Sequence, residues 1–180
     1  MTETFLVTGG AGFIGSALVR QLVGRGDQVI NLDALTYAGN RDNLAGIDGQ
    51  AGHVFVHGSI NDGKLVSGLL NEHQPRAIIN VAAETHVDRS IDGPAAFVET
   101  NIVGTFQLLE VARGYWESLD GKERDRFRFV QVSTDEVYGS IDEGEFREGD
   151  PYRPNSPYAA AKAGADHLAR AYFHTYGLPV

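Results

Sequence analysis

The sequence predicts an α/β fold, a doubly wound Rossmann-type parallel sheet with helices on both faces. Three observations carry this: short apolar runs alternate with segments of helical periodicity, the apolar runs are nearly continuous in Val, Ile and Leu, and a glycine-rich turn joins the first run to the first helix. Continuous apolar runs suit strands buried on both faces, and a parallel sheet needs helices as its crossovers.

The elements follow in order. Phe5-Leu6-Val7 is a short buried strand that runs into the glycine turn. Ile14, Leu18 and Leu22, with Val19 and Val23, then fall at helical spacing until Gly24 to Asp27 end the segment. Val29 to Leu32 is the second strand, closed by Asp33, and Val54 to Val56 the third. A helix from Asn61 or Asp62 to His73 places Leu65, Leu69, Val66 and Leu70 on one side. Ala77 to Val81 is the fourth strand. Pro94 opens a long helix to about Ser118, since its missing N–H falls where none is needed. Phe129 to Val132 is the fifth strand, and the acidic stretch from Ser140 to Pro157 is a loop. Ser156 and Pro157 cap and start a helix that ends at Gly177. Leu178-Pro179-Val180 reads as the start of a further strand, so residues 1–180 are expected to be one domain from the N-terminal part of a longer protein or a truncated form of it.

Composition narrows the function. Hydrophobic residues at 42% and charged residues at 22% describe an ordinary globular domain. The net charge of −9 argues against a general nucleic-acid or anionic-membrane surface, so an anionic ligand needs a local site. The chain has no cysteine, which excludes disulfides and thiolate metal sites; no spacing of His and carboxylates makes a metal site either. With no basic leader ahead of an apolar run and no long apolar segment, the cytoplasm is the expected location.

A local anion site is present in Thr8-Gly9-Gly10-Ala11-Gly12-Phe13-Ile14-Gly15. Gly9, Gly12 and Gly15 divide three tasks: a tight turn, close approach of a pyrophosphate to the backbone, and close packing of helix on strand. The helix N-terminus adds unpaired N–H groups and positive potential. Asp33 closes the second strand about 18 residues on from Gly15, where a carboxylate accepts ribose hydroxyls and repels a 2′-phosphate. No Arg follows it, so the expected cofactor is NAD rather than NADP; the structural alternative for Asp33 is a helix cap.

The second chemical stretch is Ser133-Thr134-Asp135-Glu136-Val137-Tyr138-Gly139, followed by Tyr158-Ala-Ala-Ala-Lys162. It gathers two carboxylates, a hydroxyl and a phenol. Tyr158 and Lys162 are four apart on a helix and share one face, so the ammonium is expected to hydrogen-bond the phenol, lower its pKa and make it a general base. Neighbouring residues on a strand point to opposite faces, so Asp135 and Glu136 reach one ligand only if the fifth strand ends or bends near Ser133. Thr134 and Asp135 also suit a turn or cap, Tyr138 the core or a pocket wall, His86 and Asp88 a surface pair, and Tyr115 and Trp116 core or interface.

Glycines at 9, 12 and 15 resemble the extended short-chain dehydrogenase/reductase superfamily, as does Asn80-Val-Ala-Ala-Glu-Thr85 at the end of the fourth strand. Within it, residues 133–139, Leu35-Thr-Tyr-Ala-Gly-Asn40, Ala82 to Ile91 and Gly93 to Phe97 are similar to the dTDP-glucose 4,6-dehydratases, and the similarity extends over essentially all 180 residues. Nucleotide-sugar 4-epimerases usually carry a small uncharged residue where this chain has Asp135 or Glu136. GDP-mannose dehydratases tend to keep the Glu and lack the Asp.

The resemblance implies conversion of dTDP-glucose to dTDP-4-keto-6-deoxyglucose, by oxidation at C4, loss of water across C5/C6 and return of hydride to C6. It implies Tyr158 as base for the 4-hydroxyl, Lys162 on the phenol and nicotinamide ribose, Glu136 as base at C5, Asp135 as acid for the 6-hydroxyl, and Thr134 on the 4-oxygen. Phe13, Ile14, Leu35, Thr36, Ser59, Ile60, Ala82, Ala83 and Thr100 are implied as cofactor contacts, and Thr85 as a substrate contact; the structural alternative for Ala82 and Ala83 is close helix packing. Two departures stand out: Ser59 where the family often has Asp beside the adenine, and Thr85 where Ser is common. The family also implies a homodimer and a C-terminal substrate domain that this chain lacks. The alternatives are a 4-epimerase, a dehydratase for another nucleotide sugar, and a non-catalytic NAD-binding regulatory domain.

Overall fold

A computed structural model of the protein describes residues 2–180. Strands β1 (Thr4–Thr8), β2 (Gln28–Asp33), β3 (His53–His57), β4 (Ala77–Asn80) and β5 (Arg128–Gln131) form one parallel sheet in the order β3-β2-β1-β4-β5. The apolar strands are covered on both sides as alternation requires. Leu6, in register with Ile30 and Ile78, packs with Val66, Leu70, Leu108 and Phe129; its neighbour Phe5, in register with Val29 and Ala77, packs with Val19, Leu22 and Leu44 on the opposite face.

Helices α1 (Phe13–Gly24), α2 (Gly63–His73), α3 (Val87–Asp92), α4 (Pro94–Phe97), α5 (Thr105–Ser118), α6 (Gly121–Arg126) and α7 (Pro157–Tyr176) complete the domain. α1 covers one face, and α2, α5 and α7 contribute to the core on the other. Asp62 caps α2 by accepting from Leu65 N–H at 2.9 Å. Ser156 caps α7 by accepting from Ala159 N–H at 3.0 Å, Pro157 opens it, and Gly177 at φ +76° ends it. No helix among the described residues is long and apolar enough to cross a membrane.

The structure departs from the sequence reading in four places. The helix expected from Pro94 to about Ser118 is α4, a π-helical turn over Val98–Gly104, and then α5. The π turn coincides with a tight approach, because a Cβ at Gly104 would lie 2.5 Å from Asn61 Oδ1 and 2.8 Å from Ile60 Cδ1. α3 and α6 were not expected: α3 is six residues long with only Val87 and Ile91 apolar, and α6 has no apolar residue and buries no side chain at all. β4 and β5 end one residue early, at Asn80 and Gln131. Leu178, fully buried, and Pro179 lie against β5, where the Pro179 carbonyl accepts from Phe129 N–H at 2.9 Å.

Candidate active site

Strand order reverses between β1 and β4, and ligands of open parallel sheets bind beyond the C-terminal strand ends at such a switch point. A cleft of about 530 Å³ lies there. Its lining comes from the loops after β1, β2, β3 and β4, from the π turn and from the start of α7. Larger hollows of about 750 and 560 Å³, beside Ile141 to Asp150 and beside Tyr152 to Val180, are shallower and contain none of the expected site residues.

The cofactor residues expected from sequence converge on this cleft. Gly9, Gly12, Phe13, Ile14, Gly15, Asp33, Thr36, Ser59, Ile60, Ala82, Ala83, Thr100 and Tyr158 all line it, as does Thr85. Leu35 and Lys162 do not. Leu35 turns the chain at φ +50° and donates its N–H to Asp33, while Lys162 is buried behind the wall on α7. Sequence reasoning passed over Gly39, Glu84 and His86, which also line the cleft.

The glycines separate by task. Gly9 holds φ +69°, and a Cβ there would sit 2.7 Å from the backbone of Ala82. A Cβ at Gly15 would sit 2.1 Å from the Gly9 carbonyl oxygen, so Gly15 lets α1 close on the turn. Gly12 precedes α1 and offers it no side-chain cap; a Cβ there meets only Gly9 O at 3.3 Å and Ala38 O at 3.8 Å. That open side is where a phosphate can approach the first-turn N–H groups.

Asp33 is buried and caps no helix, which removes the structural alternative raised for it. Its Oδ2 accepts from Ala11 N–H at 2.8 Å and its Oδ1 from Leu35 N–H at 2.8 Å, so one carboxylate locks the glycine turn to the loop after β2. Each oxygen keeps a lone pair for a ligand hydroxyl.

Behind the opposite wall runs a polar chain across three strand ends. Thr8 Oγ1 donates to Asn80 Oδ1 at 2.6 Å, Asn80 Nδ2 donates to Gln131 Oε1 at 2.8 Å, and Ala82 N–H donates to Thr8 Oγ1 at 3.2 Å. Asn101 in the π turn clasps the same loop: it accepts from Glu84 N–H at 2.9 Å and donates to Glu84 C=O at 3.0 Å. Ala82 and Ala83 thus form a wall held by hydrogen bonds, more than a packing surface. An Asn in the apolar run Ala77-Ile-Ile-Asn80 and another inside an expected helix were the available signals.

Of the reactive groups only Tyr158 lines the cleft; Thr134, Asp135 and Glu136 stand beside Tyr158 without lining it. β5 ends at Gln131, as the opposed carboxylates demanded, and Asp135–Tyr138 forms a 3₁₀ turn capped by Thr134, whose hydroxyl accepts from Glu136 N–H at 3.3 Å. Thr134 therefore does have the capping role as well. Asp135 is exposed and Glu136 half-buried, and both lie close enough to Tyr158 for their charges to act on it. Tyr158 is 8% exposed and packs its ring edge-on to Phe97, with centroids 6.3 Å apart. Tyr138 stands against Phe146 and Tyr152 outside the cleft rather than in its wall.

One expectation is corrected. Lys162 gives its ammonium hydrogen bond to the Val132 carbonyl and not to the phenol. The Tyr158 pKa is accordingly raised: burial dominates, the Thr134 hydrogen bond lowers it, and Glu136 and Asp135 raise it further. Lys162 itself is pulled down by burial, with Asp166 opposing. No group of three or more His, Asp or Glu is gathered for a metal among the described residues. The His86 ring lies 5.2 Å from the Tyr37 ring and shares no hydrogen bond with Asp88 among the described residues.

The family model described as GDP-mannose 4,6 dehydratase matches residues 6–180. The chain belongs to this family. Among family relatives, the dTDP-glucose 4,6-dehydratase of Xanthomonas campestris pv. campestris (strain B100) is 62% identical over 178 residues, covering 98% of this chain and 51% of that protein. Dehydratase 1 of Escherichia coli (strain K12), of the same description, is 52% identical over 97% of this chain and 51% of its own length. The chain spans about half the length of the curated relatives it matches. Among solved structures, the dTDP-glucose 4,6-dehydratase of Streptomyces venezuelae with NAD bound has a TM-score of 0.87 at 52% identity, over 97% of this chain and 53% of that one. A UDP-glucose 4-epimerase of Thermus thermophilus in complex with NAD has 0.82 at 36%, over 97% and 52%. The fold is thus shared with epimerases, while the higher identity lies with the dehydratases.

Proposed function

We propose that residues 1–180 are the NAD-binding, catalytic-residue domain of a dTDP-glucose 4,6-dehydratase, acting on dTDP-glucose to give dTDP-4-keto-6-deoxyglucose. The observation that carries this reading is the 3₁₀ turn bearing Thr134, Asp135 and Glu136 beside Tyr158, which itself lines the glycine-turn cleft. The relatives named dTDP-glucose 4,6-dehydratase support the sugar nucleotide.

The residues fit NAD. Gly12 leaves room for a pyrophosphate at α1, Asp33 offers lone pairs to ribose hydroxyls, Ser59 and Ile60 reach the cleft from β3, and Ala82, Ala83 and Thr100 wall the far end. When bound, NAD supplies a hydride acceptor for oxidation at C4 and a donor for reduction at C6, so it is unchanged overall.

The side chains move the protons. Tyr158 takes the 4-hydroxyl proton while Thr134 holds the 4-oxygen. A 4-ketone acidifies the C5 hydrogen, which Glu136 takes and later returns to C5; Asp135 gives its proton to the departing 6-hydroxyl. Lys162 keeps positive charge behind Tyr158 and fixes Val132, at the root of the reactive turn. The same reading places the protein in the cytoplasm as a homodimer packed through the Pro94–Ser118 segment and α7, where Phe106 and Phe173 are exposed.

Two glycines give separable outcomes. Gly15→Ala forces a Cβ onto the Gly9 carbonyl and is expected to destabilise the fold by roughly 2 kcal/mol or more. Gly12→Ala costs under about 1 kcal/mol yet weakens NAD binding about tenfold or more, because the added methyl occupies the open side. Thermal melting and calorimetric NAD titration read the two effects. The function itself is tested by mixing the purified protein with dTDP-glucose without added dinucleotide and assaying the alkali-absorbing 4-keto product. Unchanged sugar from protein that carries bound NAD would sink the reading, and a C4 epimer would replace it.

A further inference from the structure

Asp166 takes no part in the reaction above, yet it stands where the two parts of the reactive stretch meet. It lies one helical turn beyond Lys162 on α7 and is half-buried. Its Oδ2 accepts from the Ser133 hydroxyl and, at 3.1 Å, from the Tyr152 hydroxyl. Lys162 meanwhile donates to the Val132 carbonyl. Two residues a turn apart on α7 therefore grip two consecutive residues, Val132 and Ser133, between the end of β5 and the Thr134-capped turn. Tyr152 brings the loop that precedes α7 to the same carboxylate.

We propose that Asp166 is a positioning residue: through Ser133 it holds the turn carrying Thr134, Asp135 and Glu136 against α7, and one helical turn along α7 it sets a carboxylate beside the buried Lys162. The inference rests on the role given to Lys162 under the proposed function.

The charges around Lys162 support this. Lys162 is 5% exposed, burial works against its charge, and Asp166 is the group that opposes burial. The other titratable groups at this junction act on Tyr158 or on Asp166 rather than on Lys162: Asp135 and Glu136 on Tyr158, and Tyr152 through its hydrogen bond to Asp166. The Tyr152 hydroxyl is pushed up to about 12, by burial first and Asp166 second, so it stays protonated and donates to Asp166 throughout the working range.

The lysines of the chain are Lys64, Lys122 and Lys162, so protein carrying ¹³C at lysine Cε gives a spectrum in which Lys162 is assigned by its loss in Lys162→Met. Asp166→Asn is expected to lower the Lys162 titration midpoint by about one pH unit or more, and Asp166→Glu to keep it within about 0.3. Ser133→Ala and Tyr152→Phe remove hydrogen bonds but no charge, and they are expected to lower the melting temperature without moving Lys162. In turnover of dTDP-glucose, Asp166→Asn lowers kcat about tenfold with KM within about threefold. A Lys162 midpoint that is unchanged in folded Asp166→Asn, or that moves equally in Ser133→Ala, overturns the proposal. A normal Lys162 shift in a protein that binds no NAD and turns over no sugar would instead sink the proposed function and leave the charge pairing standing. If Asp166→Asn does not fold, the Glu and Ser133→Ala comparison decides: a midpoint lost in the Glu variant contradicts the account.

Discussion

Tyr158→Phe is expected to lower turnover of dTDP-glucose about 10³-fold, roughly 4 kcal/mol in the barrier, while NAD affinity stays within about threefold. The ring is 8% exposed and stands edge-on to Phe97, so Phe preserves the packing and removes only the hydroxyl. That isolates proton transfer from folding. The pH dependence follows from the direction of the shift. Burial and the charges of Glu136 and Asp135 raise the Tyr158 pKa, so its base form is scarce at neutral pH and grows tenfold per unit as pH rises toward that pKa. Rates limited by this step climb with pH, with a slope near one on a logarithmic scale. Removing the Glu136 charge takes away one of the raising causes, so in Glu136→Gln the alkaline limb of NADH formation, the step before the one Glu136 serves, moves to lower pH. A rate independent of pH across the whole alkaline range, in a folded and NAD-competent protein, would remove Tyr158 from the role of base.

Glu136→Gln and Asp135→Asn should fail in different ways. With Glu136 changed, nothing takes the C5 proton: dehydration falls about 10³-fold, and in deuterated water no deuterium enters C5 of recovered sugar. With Asp135 changed, the leaving hydroxyl lacks its acid: dehydration falls about 10²-fold, but deuterium still enters C5. The two residues are adjacent, which is why the geometry matters. On a continued strand they would face opposite sides of the sheet; on the 3₁₀ turn both act on Tyr158. Mass spectrometry of the recovered sugar separates base from acid, and equal loss of exchange in both variants would contradict the division of labour.

Much of this architecture is legible in the sequence because each part is local. The five strands are continuous apolar runs, the capped start of α7 is written in Ser156-Pro157, and the glycine turn with Asp33 names its own ligand chemistry. The ending of β5 before Thr134 could be argued because two adjacent carboxylates cannot share a face of a strand. What stayed hidden depends on contacts distant in sequence. The π turn answers to Asn61 and Ile60 packing on Gly104, and Asn101 bonds the backbone of Glu84, neither of which leaves a periodic trace. α6 is helical without an apolar face, so periodicity had nothing to find. Helical spacing puts Lys162 and Tyr158 on one face and so predicts that they pair; the fold gives the lysine's hydrogen bond to Val132, a residue of another segment. Asp33 shows the reverse case, a residue that lines the cleft and whose locking of the Ala11 N–H leaves no trace in the sequence, because it joins two separate loops.

On the proposed function, one bound dinucleotide carries out an oxidation at C4 and a reduction at C6 of the same sugar. Supplying dTDP-glucose deuterated at C4, without added NAD, and locating the label by NMR tests it most directly. Deuterium is expected at C6 of a 4-keto-6-deoxy product. Deuterium that remains at C4 of an unchanged or epimerised sugar, or that is absent from C6 of the product, would contradict it.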